Sequence, residues 1–214
     1  FQGASNKELT DLAIQVGRIQ GYIMVLIISG FVAFGRPFIQ FYAGEAYSDA
    51  YWVAILMMIP NMIPLVQSIC LNVVVAQNKH KFRSLVYLGI AILNVIGTWF
   101  LMQTIGIIGA ALMTGVALVI GQGFAMNWYY HRKTGLDMVR FWKQMTSVYI
   151  VPVLMCVATL LISKFIDFYK LPILFAGIVI YTIIYCVLNW CFTLNNYEKG
   201  LIWGQLKKRR SRKL

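Results

Sequence analysis

Six apolar runs, each at least 17 residues long and together holding a single formal charge, leave this chain few choices of fold. A window of about 19 residues, suited to a hydrocarbon core about 30 Å thick, places them at roughly 13–35, 51–76, 84–104, 107–130, 147–163 and 171–192. A helix buries its own backbone polar groups in lipid, whereas an isolated strand cannot. Barrel strands alternate in polarity and these runs do not. The expectation is an all-α membrane protein with six transmembrane helices. Composition agrees: 60% of the residues are hydrophobic and 12% charged, against about 45–50% and about 25% in a soluble domain.

The net charge of +12 is patchy. Lys79, Lys81 and Arg83 fall in the second loop, and Arg132, Lys133, Arg140 and Lys143 in the fourth. "GQLKKRRSRKL" closes the chain, with Lys7 at the start and Lys199 before that run. The opposite loops carry only Arg36, Lys164 and Lys170. Cations gather on the cytoplasmic side of short loops, so both ends are expected there. The basic loops would face anionic lipids. Nucleic acid is not expected: the charge is patchy, and no aromatic or base-reading residues accompany the cations of the closing run. The divisions read as follows: 1–12 a cytoplasmic segment, 13–130 a four-helix core, and 131–146 a basic interfacial loop with Leu136, Val139 and Trp142 on one side. A terminal helix pair over 147–192 and a polybasic tail over 193–214 complete the chain. The opening residues lack the pattern of a cleavable signal, and without an initiator Met the chain reads as a fragment.

Chemistry-bearing residues are sparse. The spans hold no Asp or Glu, and Asp49, Asp137 and Asp167 sit in loops without a motif around them. Cys70, Cys156, Cys186 and Cys191 all lie in apolar runs, and the two histidines, His80 and His131, lie in predicted loops. Ligand spacing for zinc is absent, and buried structural thiols are the expectation. No cofactor or metal is implied, and an enzyme is not expected.

The polar features are amides and breaks. In "MIPNMIPLVQSICLN", Pro60 and Pro64 each remove a backbone donor, so the helix must kink or open. Pro60, Pro64, Gln67 and Leu71 share a face at helical spacing, flanked by Asn61 and Asn72. Two readings stand: a packed kink with amides bonding neighbouring helices, or the flexible wall of a polar cavity. Ala110, Thr114, Ala117, Gly121 and Ala125 form a small-residue seam suited to close helix packing. Asn94 and Gln103 are mid-span amides in need of partners.

From Gly44 to Ala117, "GEAYSDAYWVAILMMIPNMIPLVQSICLNVVVAQNKHKFRSLVYLGIAILNVIGTWFLMQTIGIIGAALMTGVA" resembles the C-terminal half of polysaccharide flippases, the O-antigen and capsule-unit translocases of the multidrug/oligosaccharidyl-lipid/polysaccharide exporter superfamily. The resemblance is carried by Gly44 and Tyr47, the Pro- and Gln-containing helix, "NKHKFRS", "LN" in the next helix and "GIIGAALMT". "GRIQ" at 17–20 and "NWYYHRKTGLD" at 127–137 are similar to the same branch. It covers about residues 3–145, and the last two spans only by hydropathy. The resemblance implies two lobes around a cavity that opens alternately to each side of a bacterial inner (cytoplasmic) membrane. It implies an undecaprenyl-pyrophosphate-linked oligosaccharide as substrate, turned from the inner to the outer leaflet for surface polysaccharide biosynthesis. This chain would supply the last six spans of a fourteen-span member, with the N-terminal lobe missing.

Arg18 is the one charge in the spans. With a cytoplasmic start it lies about 7 Å below the inner surface, at about 1.5 Å per residue. It can snorkel back to water or face a cavity, where a guanidinium suits a pyrophosphate. On the cavity reading Arg18, Gln15, Gln67 and Asn94 line the substrate path. A drug or metabolite exporter of the same superfamily is the alternative, and it predicts an acidic residue in a span for ion coupling. A non-transporting membrane scaffold for glycan-assembly enzymes is the third, with the basic fourth loop and tail as its docking surface.

Overall fold

The computed structural model of the protein describes residues 5–201. The expected polybasic run from Lys207 to Lys213 lies outside them. Every element among the described residues is helical. Five segments are long and apolar enough to cross a membrane: Asn6–Ala43, Glu45–Val66, His80–Lys133, Met138–Ile162 and Leu171–Thr193.

Helix α1 (Asn6–Ala43) starts at a capping box: the Glu8 amide donates to Ser5 Oγ at 3.3 Å, and the Ser5 amide donates to the Glu8 carboxylate at 2.8 Å. That pair satisfies two otherwise orphaned donors of the first turn. The helix ends at Gly44, whose φ of 89° favours glycine. At about 1.5 Å per residue it runs about 57 Å, longer than a hydrocarbon core. It is the mast of the bundle, touching α2 (Ala50–Val66), α3 (Ser68–Ala76), α6 (Met138–Ile162) and α7 (Leu171–Leu188).

Small residues set how closely these helices approach. A Cβ on Gly17 would stand 2.5 Å from Met145 Cε and 2.8 Å from the Val66 carbonyl, so only glycine lets α1 meet α2 and α6 there. Gly115 does the same against α2, where a Cβ would lie 2.7 Å from the Leu56 carbonyl.

The longest segment is bent double. Helix α4 (His80–Leu118) loses helical geometry at Ile105 (φ −126°) and Gly106 (φ 61°). Beyond that break the chain returns along itself: Gly97 faces Met113, Gly121 faces Ile90, and Thr114 Oγ1 donates to Asn94 Oδ1 at 3.2 Å. The expected small-residue seam is therefore a packing surface, with Gly121 on Ile90 and Ala117 fully buried. A π-helical stretch (Val119–Met126) then leads into α5 (Asn127–Lys133).

Two apolar cores sit at the two ends of α1. One joins Ala13 and Ile14 to Val66, Val74, Met126, Phe141 and Met145. The other joins Ala33 and Phe34 to Met155, Phe168, Leu174 and Tyr181. The basic loops gather at the first of these ends. Lys79 Nζ donates to the Lys133 carbonyl at 2.6 Å, Arg140 pairs with Asp11 at 2.8 Å, and the Asp137 amide donates to Thr10 Oγ1 at 3.2 Å. Large apolar side chains such as Leu88, Val95, Trp99, Phe100 and Ile183 point outward, as a lipid-facing surface requires.

Two local expectations are corrected. Residues 131–146, expected as a basic interfacial element, hold the end of α5, a short connection and, from Met138, the start of α6, capped by Asp137, which accepts from the Arg140 amide at 3.0 Å. Leu136 is buried and Trp142 packs inward while Val139 faces out, so the three do not share a membrane-facing side. Of the four thiols only Cys70 is buried; Cys156 is half-buried, and Cys186 and Cys191 are exposed on the outer surface of their helix.

Candidate functional site

Arg18 is 2% exposed, which rules out the snorkelling reading. Its guanidinium is instead met by protein on every edge. Nε donates to Glu198 Oε1 at 2.6 Å, and Nη2 reaches Glu198 Oε2 at 3.2 Å. Nη1 donates to the Gln144 carbonyl at 3.0 Å and Ser147 Oγ at 2.6 Å, while Nη2 also reaches Tyr22 Oη at 2.7 Å and the Thr193 carbonyl at 2.9 Å. Glu198 is itself 4% exposed and accepts from the Asn195 amide at 2.8 Å. Two charges withdrawn from water are tolerable only when paired and fully hydrogen-bonded, and both conditions hold. The carboxylate comes from beyond the last apolar run, in residues 196–201, which form a helical turn after a second π-helical stretch (Asn189–Thr193). Arg18 thereby ties α1, α6 and this C-terminal turn into one body.

A second polar node lies at the break between α2 and α3. The two prolines deprive α2 of ladder bonds, and the helix opens at Gln67 (φ −97°, ψ 17°). Gln67 is 1% exposed and its Nε2 donates to Asn127 Oδ1 at 2.8 Å. Trp142 Nε1 donates to the same oxygen at 2.8 Å. Asn127 Nδ2 in turn donates to the Gln122 and Gly123 carbonyls, at 3.2 and 2.6 Å, inside the π-helical stretch. One asparagine thus couples two helix irregularities, and such irregularities recur at functional positions. Gln67 Oε1 and Gln122 Nε2, both buried, have no hydrogen-bond partner among the described residues. An unmet buried polar atom costs about 1–3 kcal/mol, so these two amide atoms gain if the node rearranges.

The other sequence-predicted site residues stand apart. Asn94 is half-buried and accepts from Thr98 at 3.0 Å as well as from Thr114, on the hairpin of α4. Gln15 is half-buried one turn before Arg18, and Gln103 is exposed. Gln20, on a neighbouring face of α1, accepts from Ser68 Oγ at 2.9 Å. The structure does not bring Gln15, Arg18, Gln67 and Asn94 into one wall: the last three belong to three separate hydrogen-bond networks. Reading by residue type passed over Glu198, Asn127 and Trp142. For Asn127 the signal available was a second amide at the end of an apolar run, facing a proline-broken helix.

The nodes consist of amides, hydroxyls, an indole and one neutralised ion pair. Such groups bind and position polar matter within a bundle and adjust helix geometry. Comparison with known protein families, with characterised proteins and with solved structures returns no match to this chain.

Proposed function

We propose that this chain is the C-terminal part of a flippase that turns an undecaprenyl-pyrophosphate-linked oligosaccharide across a bacterial cytoplasmic membrane. On this reading the two arms of α4 cross separately, giving six spans, both ends of the chain are cytoplasmic, and an N-terminal lobe supplies the facing wall. The observation that carries the reading is the Asn127 node, where a proline-opened helix and a π-helical stretch meet through Gln67 and Trp142. Alternating access needs helices that can change their bend beside a polar passage, and broken backbone survives at membrane depth only where protein or water covers it. The motifs from Gly44 to Ala117 supply the substrate class. Of the expected amides, Gln67 lines the path through the Asn127 node, while Asn94, on the α4 hairpin, and Gln15 stand apart from that wall. Arg18 reaches a pyrophosphate only in a state where Glu198 releases it.

The test is genetic and chemical together. A strain lacking the gene is expected to lose surface polysaccharide and accumulate lipid-linked repeat units at the inner leaflet; Asn127→Ala is expected to reproduce both in part. Normal polysaccharide with no accumulation in the null strain abandons the reading. A second reading, an ion-coupled exporter of the same superfamily, is favoured by one observation: Glu198 supplies a carboxylate buried in the bundle. Substrate efflux that collapses in Glu198→Gln, with polysaccharide intact, selects it.

A further inference from the structure

At the end of the bundle away from the basic loops, α1, α2 and the turn after α6 part to leave a cleft of about 860 Å³. Arg36 and Lys164 line it together with the apolar side chains of Val32, Ile55, Ile59 and Leu160. From Trp52 to Ile59 is seven residues of helix, about 10 Å of apolar wall. Trp52, Ile59 and Leu160 are exposed, so the wall opens sideways to whatever surrounds the helices. A second cavity of about 490 Å³ shares Arg36, Trp52 and Tyr169 with the first and adds the carboxylates Glu45 and Asp49.

We propose that this double cleft seats an amine-bearing phospholipid of the phosphatidylethanolamine type. The charge pattern makes the choice. Neither Arg36 nor Lys164 is ion-paired among the described residues, so the first cavity presents two cations to a phosphate. The Arg36 guanidinium lies over the rings of Tyr51 and Trp52, 5.0 and 5.2 Å from their centroids, so its charge is held at the shared wall of the two cavities. Asp167 also lines the first cavity and accepts from the Tyr169 amide at 3.0 Å; with its charge counted, the two cations still leave that cavity net positive. The adjoining cavity carries the opposite charge. Asp49 and Glu45, the latter also accepting from Gln40 Nε2 at 2.6 Å, stand with Trp52 and Tyr169 where an ammonium gains both ion pairing and aromatic faces. The acyl chains then lie along Ile55 and Ile59. The proposal rests on a bilayer around the helices and not on the flippase reading.

The test measures lipid retention by the purified full chain, using native mass spectrometry after delipidation, with phosphatidylethanolamine, phosphatidylglycerol and diacylglycerol added in turn. Phosphatidylethanolamine is expected to be retained most. Arg36→Gln/Lys164→Gln is expected to weaken it about tenfold, the scale of one charge-assisted contact. Glu45→Gln/Asp49→Asn is expected to bring it level with phosphatidylglycerol, and Lys170→Gln to change nothing. Lys164→Gln alone, an exposed position after α6, serves if the double variant fails to fold; it is expected to weaken retention, and unchanged retention there overturns the proposal too. Equal retention of all three lipids, preference for phosphatidylglycerol, or unchanged retention in the double cation variant overturns the proposal. Because the readout is binding by isolated protein, it is separable from any result on polysaccharide export.

Discussion

The Arg18–Glu198 pair can be dissected by a double-mutant cycle. Breaking a buried ion pair from one side costs about 3–5 kcal/mol, whereas replacing both partners with apolar groups of similar volume is often neutral or stabilising. In Glu198→Gln the guanidinium keeps four neutral acceptors, Tyr22 Oη, Ser147 Oγ and the carbonyls of Gln144 and Thr193. Its loss therefore falls at the lower end, about 3 kcal/mol. In Arg18→Met the carboxylate retains the Asn195 amide and a 3.5 Å approach from Tyr22 Oη, so the loss falls nearer 5 kcal/mol, by about the same rule. Arg18→Met/Glu198→Leu removes both charges and is expected within about 2 kcal/mol of the parent, the residue being the hydroxyls and carbonyls left without a donor. The coupling energy is then about 6 kcal/mol, the two single losses less that of the double variant. Unfolding in mixed detergent and dodecyl sulfate, followed by tryptophan fluorescence, measures all four proteins. Single losses below about 1 kcal/mol, or additivity within about 0.5 kcal/mol, would falsify the claim that these two charges meet in the folded state.

Close packing at α1 makes a contrasting pair. Gly17→Ala forces a Cβ against the Val66 carbonyl and is expected to lose about 1–3 kcal/mol in the same unfolding assay. Gly30→Ala, which meets nothing within 4 Å, is expected to gain about 0.5–1 kcal/mol from helix propensity. At the second node, Asn127→Ala strands Gln67 Nε2 and Trp142 Nε1 together, for an expected loss of about 2–4 kcal/mol and a shift in Trp142 fluorescence. Gly106→Ala places a side chain at φ 61°, ψ −141°, a conformation costing about 1–3 kcal/mol away from glycine. Hydrogen exchange confined to the turn of the α4 hairpin is its expected signature.

Hydropathy made the apolar segments legible, and the gap left between residues 104 and 107 coincides with the backbone break at Ile105 and Gly106. The opening at Gln67 follows from Pro60 and Pro64 in the same direct way. The partner of Arg18 was not legible, because Glu198 is separated from it by 180 residues and sits in a polar stretch that any hydropathy window assigns to a tail. An ion pair depends on three-dimensional closure, and neither periodicity nor composition encodes which distant acid returns. The start of α6 was misread for a related reason. An amphipathic turn looks the same whether its apolar side meets lipid or a neighbouring helix, and only Leu136 and Phe141 against α1 decide between them.

The two nodes divide the bundle mechanically. Where α1, α6 and the C-terminal turn meet, charge pairing and six hydrogen bonds to one side chain fix the geometry. Where α2, α3 and the return arm of α4 meet, one helix has already opened, its neighbour is π-helical, and two buried amide atoms are unmet. Opening or closing a helix costs least where ladder bonds are already absent and local polar groups gain partners on moving. Any rearrangement of the bundle is therefore expected to pivot at Gln67 and the stretch Val119–Met126 while the Arg18 body stays rigid. Spin labels at exposed Leu65 and Phe124 are expected to show a broader distance distribution than labels at exposed Ile19 and Val153. Equal widths for the two pairs would place the compliance elsewhere and leave the Asn127 node as packing alone.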